Sequence, residues 1–240
     1  MEIFIGNIRD YSTEYLTSLV SKERISAAMR YRFEADRKRT LLAHALLNHA
    51  ISGSYPHVPV PATPVTDKYG KPHIYTDDRS DNEIHFSLSH SGDYAVCAID
   101  HFAIGADTEE IKDEKDGIAD RFFAREERGY IKDSSSFYSI WSLKESFMKA
   151  VGRGMSLPMD SFTVCDFDTD TGNCRFKPCA SVHGNDTDIS FMEDLIDNES
   201  GYYKISGKTI TEIPGYSLAY AVYVTHPGEM TKPRIIYPSL

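Results

Sequence analysis

Three segments of this chain carry side chains spaced for chemistry: SLSHSGD (Ser87–Asp93), GADTEE (Gly105–Glu110) and WSLKESFMKAVGRG (Trp141–Gly154). Asp107 and Glu109 are two residues apart. On a strand that spacing puts both carboxylates on one face together with Gly105, while Ile104, Ala106 and Thr108 face the other way. Gly105 has no side chain to obstruct a ligand there. Convergent carboxylates on a rigid strand repel one another unless a cation lies between them, and a set of oxygen ligands suits Mg²⁺. A strand ending in solvated acids is the simpler alternative, and the adjoining Glu110 favours it. Ser87, Ser89, His90 and Ser91 surround a turn. Hydroxyls, an imidazole and turn amides make an anion site, or merely a polar turn. In the third segment Glu145 and Lys149 lie one helical turn apart. Either they pair on a solvated face, for about 0.3 kcal/mol, or they face a ligand.

These residues need elements to hold them. Ile140, Leu143, Phe147 and Val151 recur at helical spacing, and Gly152 sits where a left-handed cap belongs. HFSLSHSGDYAVCAID reads as a hairpin with SGD as its turn, and FAIGADTEE as a further strand. MEIFIGNI is an opening strand, followed by helical stretches over 11–33 and 36–53. The proline-rich segment around 55–74 is loop or edge strand. Helices are expected near 115–132 and 136–151, then strands at SFTVCDF, YYKISGKTI and YSLAYAVYV. Residues 166–201 read as strands joined by mobile loops, and the tail from His226 as a surface segment. The order strand, helices, strands occurs twice, with a break near residue 102. SGDYAVCAI and PGYSLAYAVYV even look alike. The fold class is α+β in two similar halves, 1–102 and 103–225, with a tail 226–240.

With 41 % hydrophobic residues in 240, the chain can bury a real core. Its net charge of −10 argues against nucleic acid as a partner. No apolar run approaches the ~18 residues of a membrane span, so no membrane partner is expected. The N-terminus lacks the basic-then-apolar order of a signal peptide. The four cysteines have no metal-site spacing and read as free thiols of a cytoplasmic protein. From Lys22 to Arg39, seven basic residues face three acids. That local excess suits a compact anion such as phosphate, or else a solvated face with internal ion pairs. No P-loop, dinucleotide fingerprint or Ser/His/Asp triad is specified.

The order KYGKP, FSLSHSGDYAVCAI, IGADTEE, WSLKESFMKAVGRG resembles the Sfp-type 4′-phosphopantetheinyl transferases. That family has a Ser-His-Ser hairpin, a Gly-x-Asp-x-Glu strand and a Trp-Ser-x-Lys-Glu-x-x-x-Lys helix. The likeness runs from about Arg24 to SLPMDSFTV, more than half the chain. It implies a pseudo-symmetric monomer whose halves clasp coenzyme A between them. It further implies that Asp107, Glu109 and Glu145 bind Mg²⁺, or Mn²⁺, with the coenzyme A pyrophosphate. Lys149 and Lys144 are carried over as pyrophosphate neighbours, and Ser89 and His90 as phosphate contacts. Lys71, with the backbone of Gly70 and Pro72, matches the adenosine 3′-phosphate site, and Arg39, Thr40 and Arg24 match its other contacts.

The sequence departs from the pattern in three places. Ala106 and Thr108 replace bulky apolar residues, Ala27 stands at a position often basic, and residues 166–201 and the tail have no counterpart. The implied reaction transfers 4′-phosphopantetheine to a serine of an apo carrier protein, with Glu145 as base and Lys149 assisting departure of adenosine 3′,5′-bisphosphate. Two rivals remain at this point: a Mg²⁺-dependent phosphohydrolase, and a non-catalytic module that binds carrier proteins.

Overall fold

Ser12 and Ser21 divide what periodicity alone reads as one helix over 11–33. Each serine hydroxyl accepts the N–H three residues on, from Tyr15 and Arg24, and so starts a helix of its own. These are α1 (Thr13–Ser18) and α2 (Lys22–Ala28). The longer α3 (Glu34–Ser54) follows and buries Leu41, Leu42, Leu46, Leu47 and Ile51. The helix expected over 115–132 is shortened to α4 (Ile118–Phe122) and a 3₁₀ turn (Glu127–Tyr130). The buried Glu127 carboxylate accepts the N–H groups of Ala124 and Val164, which pulls that stretch out of helical geometry. The next helix, α5 (Ser134–Val151), starts at an Asp133–Ser136 capping box and stops at Gly152 in the left-handed region, φ 81°.

This computed structural model describes residues 1–75, 83–113, 117–179, 190–225 and 232–240. The strands are β1 (Glu2–Asn7), β2 (Val65–Thr66), β3 (Pro72–Tyr75), β4 (Glu83–Ser91), β5 (Tyr94–Asp100) and β6 (Ile104–Glu110). They continue as β7 (Phe162–Cys165), β8 (Asn173–Pro178), β9 (Ile205–Ile210), β10 (Tyr216–Tyr223) and β11 (Arg234–Ile236). One sheet runs β11-β1-β5-β4-β3-β2 and the other β6-β10-β9-β8-β7. Leaving β11 aside, the two orders are the same. The first strand of each half lies beside its last, then come the fourth, third and second, with the long helix after the first strand. The α+β fold in two similar halves is thus present in the topology.

The tail departs from expectation. Within 226–240, residues 226–231 lie outside the described residues, and β11 pairs in parallel with β1, Ile3 opposite Ile235. The tail closes the edge of the first sheet and does not merely drape over it. Tyr11 and Tyr15 on the opening helical segment donate their hydroxyls to the carbonyls of Pro238 and Leu240. Residues 166–201 also hold more structure than loops and strands, with a 3₁₀ helix at Ser190–Leu195, while 180–189 lie outside the described residues.

Three cores result. Helix α3 covers the first sheet through Phe4, Leu42 and Leu46, and α5 covers the second through Leu143, Phe147 and Met148. Between the sheets, Ile3, Ile5, Val96 and Ala98 meet Ile104, Ala106, Leu218 and Tyr220. Each half lets its long helix approach at a glycine of its first strand. A Cβ on Gly6 would come 3.1 Å from Leu42, and one on Gly105 would strike the Ser146 carbonyl and lie 2.5 Å from the Ala150 nitrogen. Gly105 therefore admits the backbone of α5, which corrects the expectation that it clears space for a ligand. Because backbone cannot swing aside, Gly105→Ala should cost about 1–3 kcal/mol or more, seen as a lower thermal midpoint. Gly53→Ala, whose Cβ meets nothing within 4 Å, should lower it not at all. Equal midpoints for wild type and Gly105→Ala would exclude this close approach.

Candidate active site

Ser87, Ser89 and Ser91 alternate along β4 and so share one face. Their hydroxyl oxygens accept the N–H groups of Ala106, Thr108 and Glu110 at 2.9, 3.3 and 3.1 Å. Those are every second N–H of β6, on the edge that no strand covers among the described residues. Side-chain oxygens here replace a neighbouring strand. The same hydroxyls donate onward: Ser89 to Asp107 Oδ1 at 2.9 Å and Ser91 to Glu109 Oε2 at 2.8 Å. The hairpin thereby orients both acids.

Lys149, on α5, donates to Asp107 Oδ1 (2.7 Å), Ser89 Oγ (3.0 Å) and the Ala106 carbonyl (3.1 Å). Three donors meet three acceptors. Among the described residues no ion pair joins Glu145 to Lys149, so the solvated-face pairing does not occur. Asp107 is buried, and its Oδ2 has no hydrogen-bond partner among the described residues. Glu109 and Glu145 both have raised carboxyl pKa values, through burial first and the Asp107 charge second. Among the described residues, no three His, Cys, Asp or Glu side chains already enclose a metal-sized space. The donors nevertheless fit an oxygen-preferring dication: an orphaned buried carboxylate oxygen flanked by two carboxylates that feel its charge.

A second group of residues gathers positive charge beside the acids. His90 follows Ser89 on the hairpin. Desolvation, then the nearby charges of Lys149 and Arg39, lower its imidazole pKa. Arg39 pairs with Asp36 and donates to the Gly92 carbonyl at 2.6 Å. Arg24, half-buried on α2, has its charge opposed by desolvation. Between them His44, one turn after the buried Thr40, is pushed down to about 3 by burial, then by Arg24 and His90. Gly70, Lys71 and Pro72 line a cavity of about 240 Å³ with Phe86, Leu88, Lys149 and Gly152. Lys71 Nζ donates to the Ala150 carbonyl at the end of α5, 3.1 Å away.

The sequence pattern of the 4′-phosphopantetheinyl transferase superfamily matches residues 103–199, and that of the N-terminal region of 4′-phosphopantetheinyl transferases matches 9–101. The chain is 40 % identical over 157 residues to the 4′-phosphopantetheinyl transferase Sfp of Bacillus subtilis strain 168, covering 63 % of this chain and 68 % of that one. It is 39 % identical over 158 residues to the transferase ffp of Bacillus subtilis, covering 63 % and 69 %. With psf-1 of Bacillus pumilus it shares 38 % over 157 residues, 63 % and 66 %. The chain belongs to the 4′-phosphopantetheinyl transferase family. The matched stretches span about two thirds of those relatives' length. No helix of the transferase is long and apolar enough to cross a membrane, among the described residues.

The structure brings together Asp107, Glu109, Glu145, Lys149 and Ser89, with His90, Arg39 and Arg24 beside them. Lys144 is not among them. It is fully buried on the far side of α5, where its Nζ meets Glu127 Oε1 at 2.6 Å, the Phe162 carbonyl at 2.8 Å and the Phe162 ring at 4.3 Å. Its assignment beside the pyrophosphate is therefore corrected: positions 144 and 149 are five apart, which turns their side chains to different faces of a helix. Of the basic run, Lys38 and Arg37 are spent on the carbonyls of Ile8 and Tyr31. Sequence reasoning missed His44, although its spacing of four from Thr40 was the available signal. It also missed Glu127, for which no local signal exists.

Removing one member of a buried pair strands the other charge, at about 3–5 kcal/mol. Lys144→Met should accordingly lower the thermal midpoint sharply, while the protein that remains folded binds coenzyme A as wild type does. A selective loss of coenzyme A affinity with unchanged melting would return Lys144 to the cleft.

Proposed function

We propose that the transferase moves 4′-phosphopantetheine from coenzyme A to a serine of an apo acyl or peptidyl carrier protein, with Mg²⁺ or Mn²⁺. The products are holo carrier and adenosine 3′,5′-bisphosphate. The observation that carries this reading is Asp107 Oδ2, a buried carboxylate oxygen without a partner, next to the Lys149 ammonium and two further carboxylates. Asp107, Glu109 and Glu145 would hold the metal. When bound there, a dication would supply charge neutralisation to the pyrophosphate and Lewis-acid activation to the phosphorus.

The chain's own residues supply the rest. Glu145 takes the proton of the carrier serine as general base. The serine oxygen bonds to the phosphorus that bears pantetheine, and the bond to the bridging oxygen breaks. Its electron pair leaves with adenosine 3′,5′-bisphosphate. Lys149 stabilises that departing charge by giving up one of its three present acceptors. His90, Arg39, Thr40 and Arg24 grip the phosphates from the first half, and Gly70, Lys71 and Pro72 line the nucleoside side. Alignment and charge neutralisation do most of this work, with no nucleophile needed from the chain. One chain supplies both sides of the cleft, which supports a monomer, and free thiols support a cytoplasmic setting.

The test is Glu145→Gln, which keeps shape and removes both charge and base. With coenzyme A, Mg²⁺ and apo carriers, turnover by intact mass should fall about two orders of magnitude or more. Melting in chelator should stay level or rise, since repulsion with Asp107 is relieved. Wild-type turnover in the variant would refute the role, and cleavage of coenzyme A without any carrier would favour hydrolysis instead.

A further inference from the structure

The turn that carries His90 is held from both halves of the molecule. Gly92 and Asp93 join β4 to β5. From the first half, Arg39 donates to the Gly92 carbonyl at 2.6 Å, and Arg9 pairs with Asp93. From the second half comes Tyr216, the first residue of β10. Its hydroxyl accepts the Asp93 N–H at 2.9 Å. Its ring rests edge-on against Tyr94, centroids 4.9 Å apart. Gly92 is what admits the hydroxyl. It stands at φ 53°, and a Cβ on it would strike the Tyr216 oxygen and come 2.9 Å from Glu110 Oε2. In register, Tyr216 lies opposite Glu110 on β6, whose own N–H is held by Ser91.

We infer that Tyr216 is a positioning residue, whose hydroxyl fixes the Gly92–Asp93 turn and so presents His90 and Arg39 to the phosphates of the ligand. The inference rests on the reaction proposed above. A phenylalanine at 216 keeps the ring packing on Tyr94 and loses only the acceptor, leaving the Asp93 N–H without its partner. The turn then relaxes. Asp107 stays fixed by Ser89 and Lys149, which touch neither Gly92 nor Asp93, and Glu109 keeps its bond from Ser91, which the β4–β5 ladder holds opposite Tyr94. Phosphate grip should therefore suffer before chemistry does.

The experiment compares wild type with Tyr216→Phe in three measurements: calorimetric binding of adenosine 3′,5′-bisphosphate, carrier modification kinetics, and hydrogen exchange at the Asp93 amide. In the variant, affinity for the bisphosphate and KM for coenzyme A should each worsen about two- to tenfold, the worth of one hydrogen bond. Turnover at saturation should stay within about twofold, KM for the carrier should not move, and Asp93 should exchange faster. Faster exchange with unchanged bisphosphate affinity would overturn the inference. So would a parallel loss in every kinetic constant with a lower melting point, which marks general loosening. If wild type binds neither bisphosphate nor coenzyme A, the reaction reading itself fails, and that result is distinct from either of these.

Discussion

The arrangement depends on one constraint: β6 carries the acids and has an edge that, among the described residues, no strand covers. Unpaired N–H groups along a buried edge are costly, and a further strand there would fill the cleft. Serine meets the constraint because its hydroxyl accepts and donates at once. Ser89 takes the Thr108 N–H and the Lys149 ammonium, and gives its own proton to Asp107. The halves are thus joined at the hydrogen bonds of Ser89, Asp107 and Lys149, as well as through the apolar layer of Ile3, Ile5, Val96, Ile104, Leu218 and Tyr220. A shift of one sheet against the other would be felt first by Asp107 and Glu109.

Helix α5 shows how one element separates two uses of the same residue type. Lys144 points into an apolar core, where a charge survives only because Glu127, the Phe162 carbonyl and the Phe162 ring satisfy it. Lys149 points the other way, half in solvent, and its contacts are ones it can exchange. Burial opposes the charge of Lys144, and Glu127 answers that opposition. The first lysine ties α5 to Glu127 and Phe162, and the second reaches Asp107 on β6.

The sequence made the local features legible. The period-two pattern of SLSHS and GADTEE and the helical period of α5 depend on neighbours within a few residues, and both were readable. The likeness of SGDYAVCAI to PGYSLAYAVYV had a structural basis, since β5 and β10 occupy the same place in their sheets. The splitting of 11–33 was encoded in Ser12 and Ser21, yet helical period outweighed two capping residues. What stayed hidden depends on distant partners. Lys144 carries a family motif, and only the buried Glu127 seventeen residues away shows that it turns inward. Tyr216 and β11 act on parts of the chain more than a hundred residues off.

The pairing of β11 with β1 has a consequence for how the chain comes to its native state. Ile3 meets Ile235, so the contact closes a loop of 232 residues that contains the whole second half. Loop closure of that length is slow, and topologies rich in distant pairings fold slowly. During synthesis the first half emerges with β1 bare along one side, an open template for another chain until β11 reaches it. Crowded ribosomes and high expression would be the conditions in which that interval matters most.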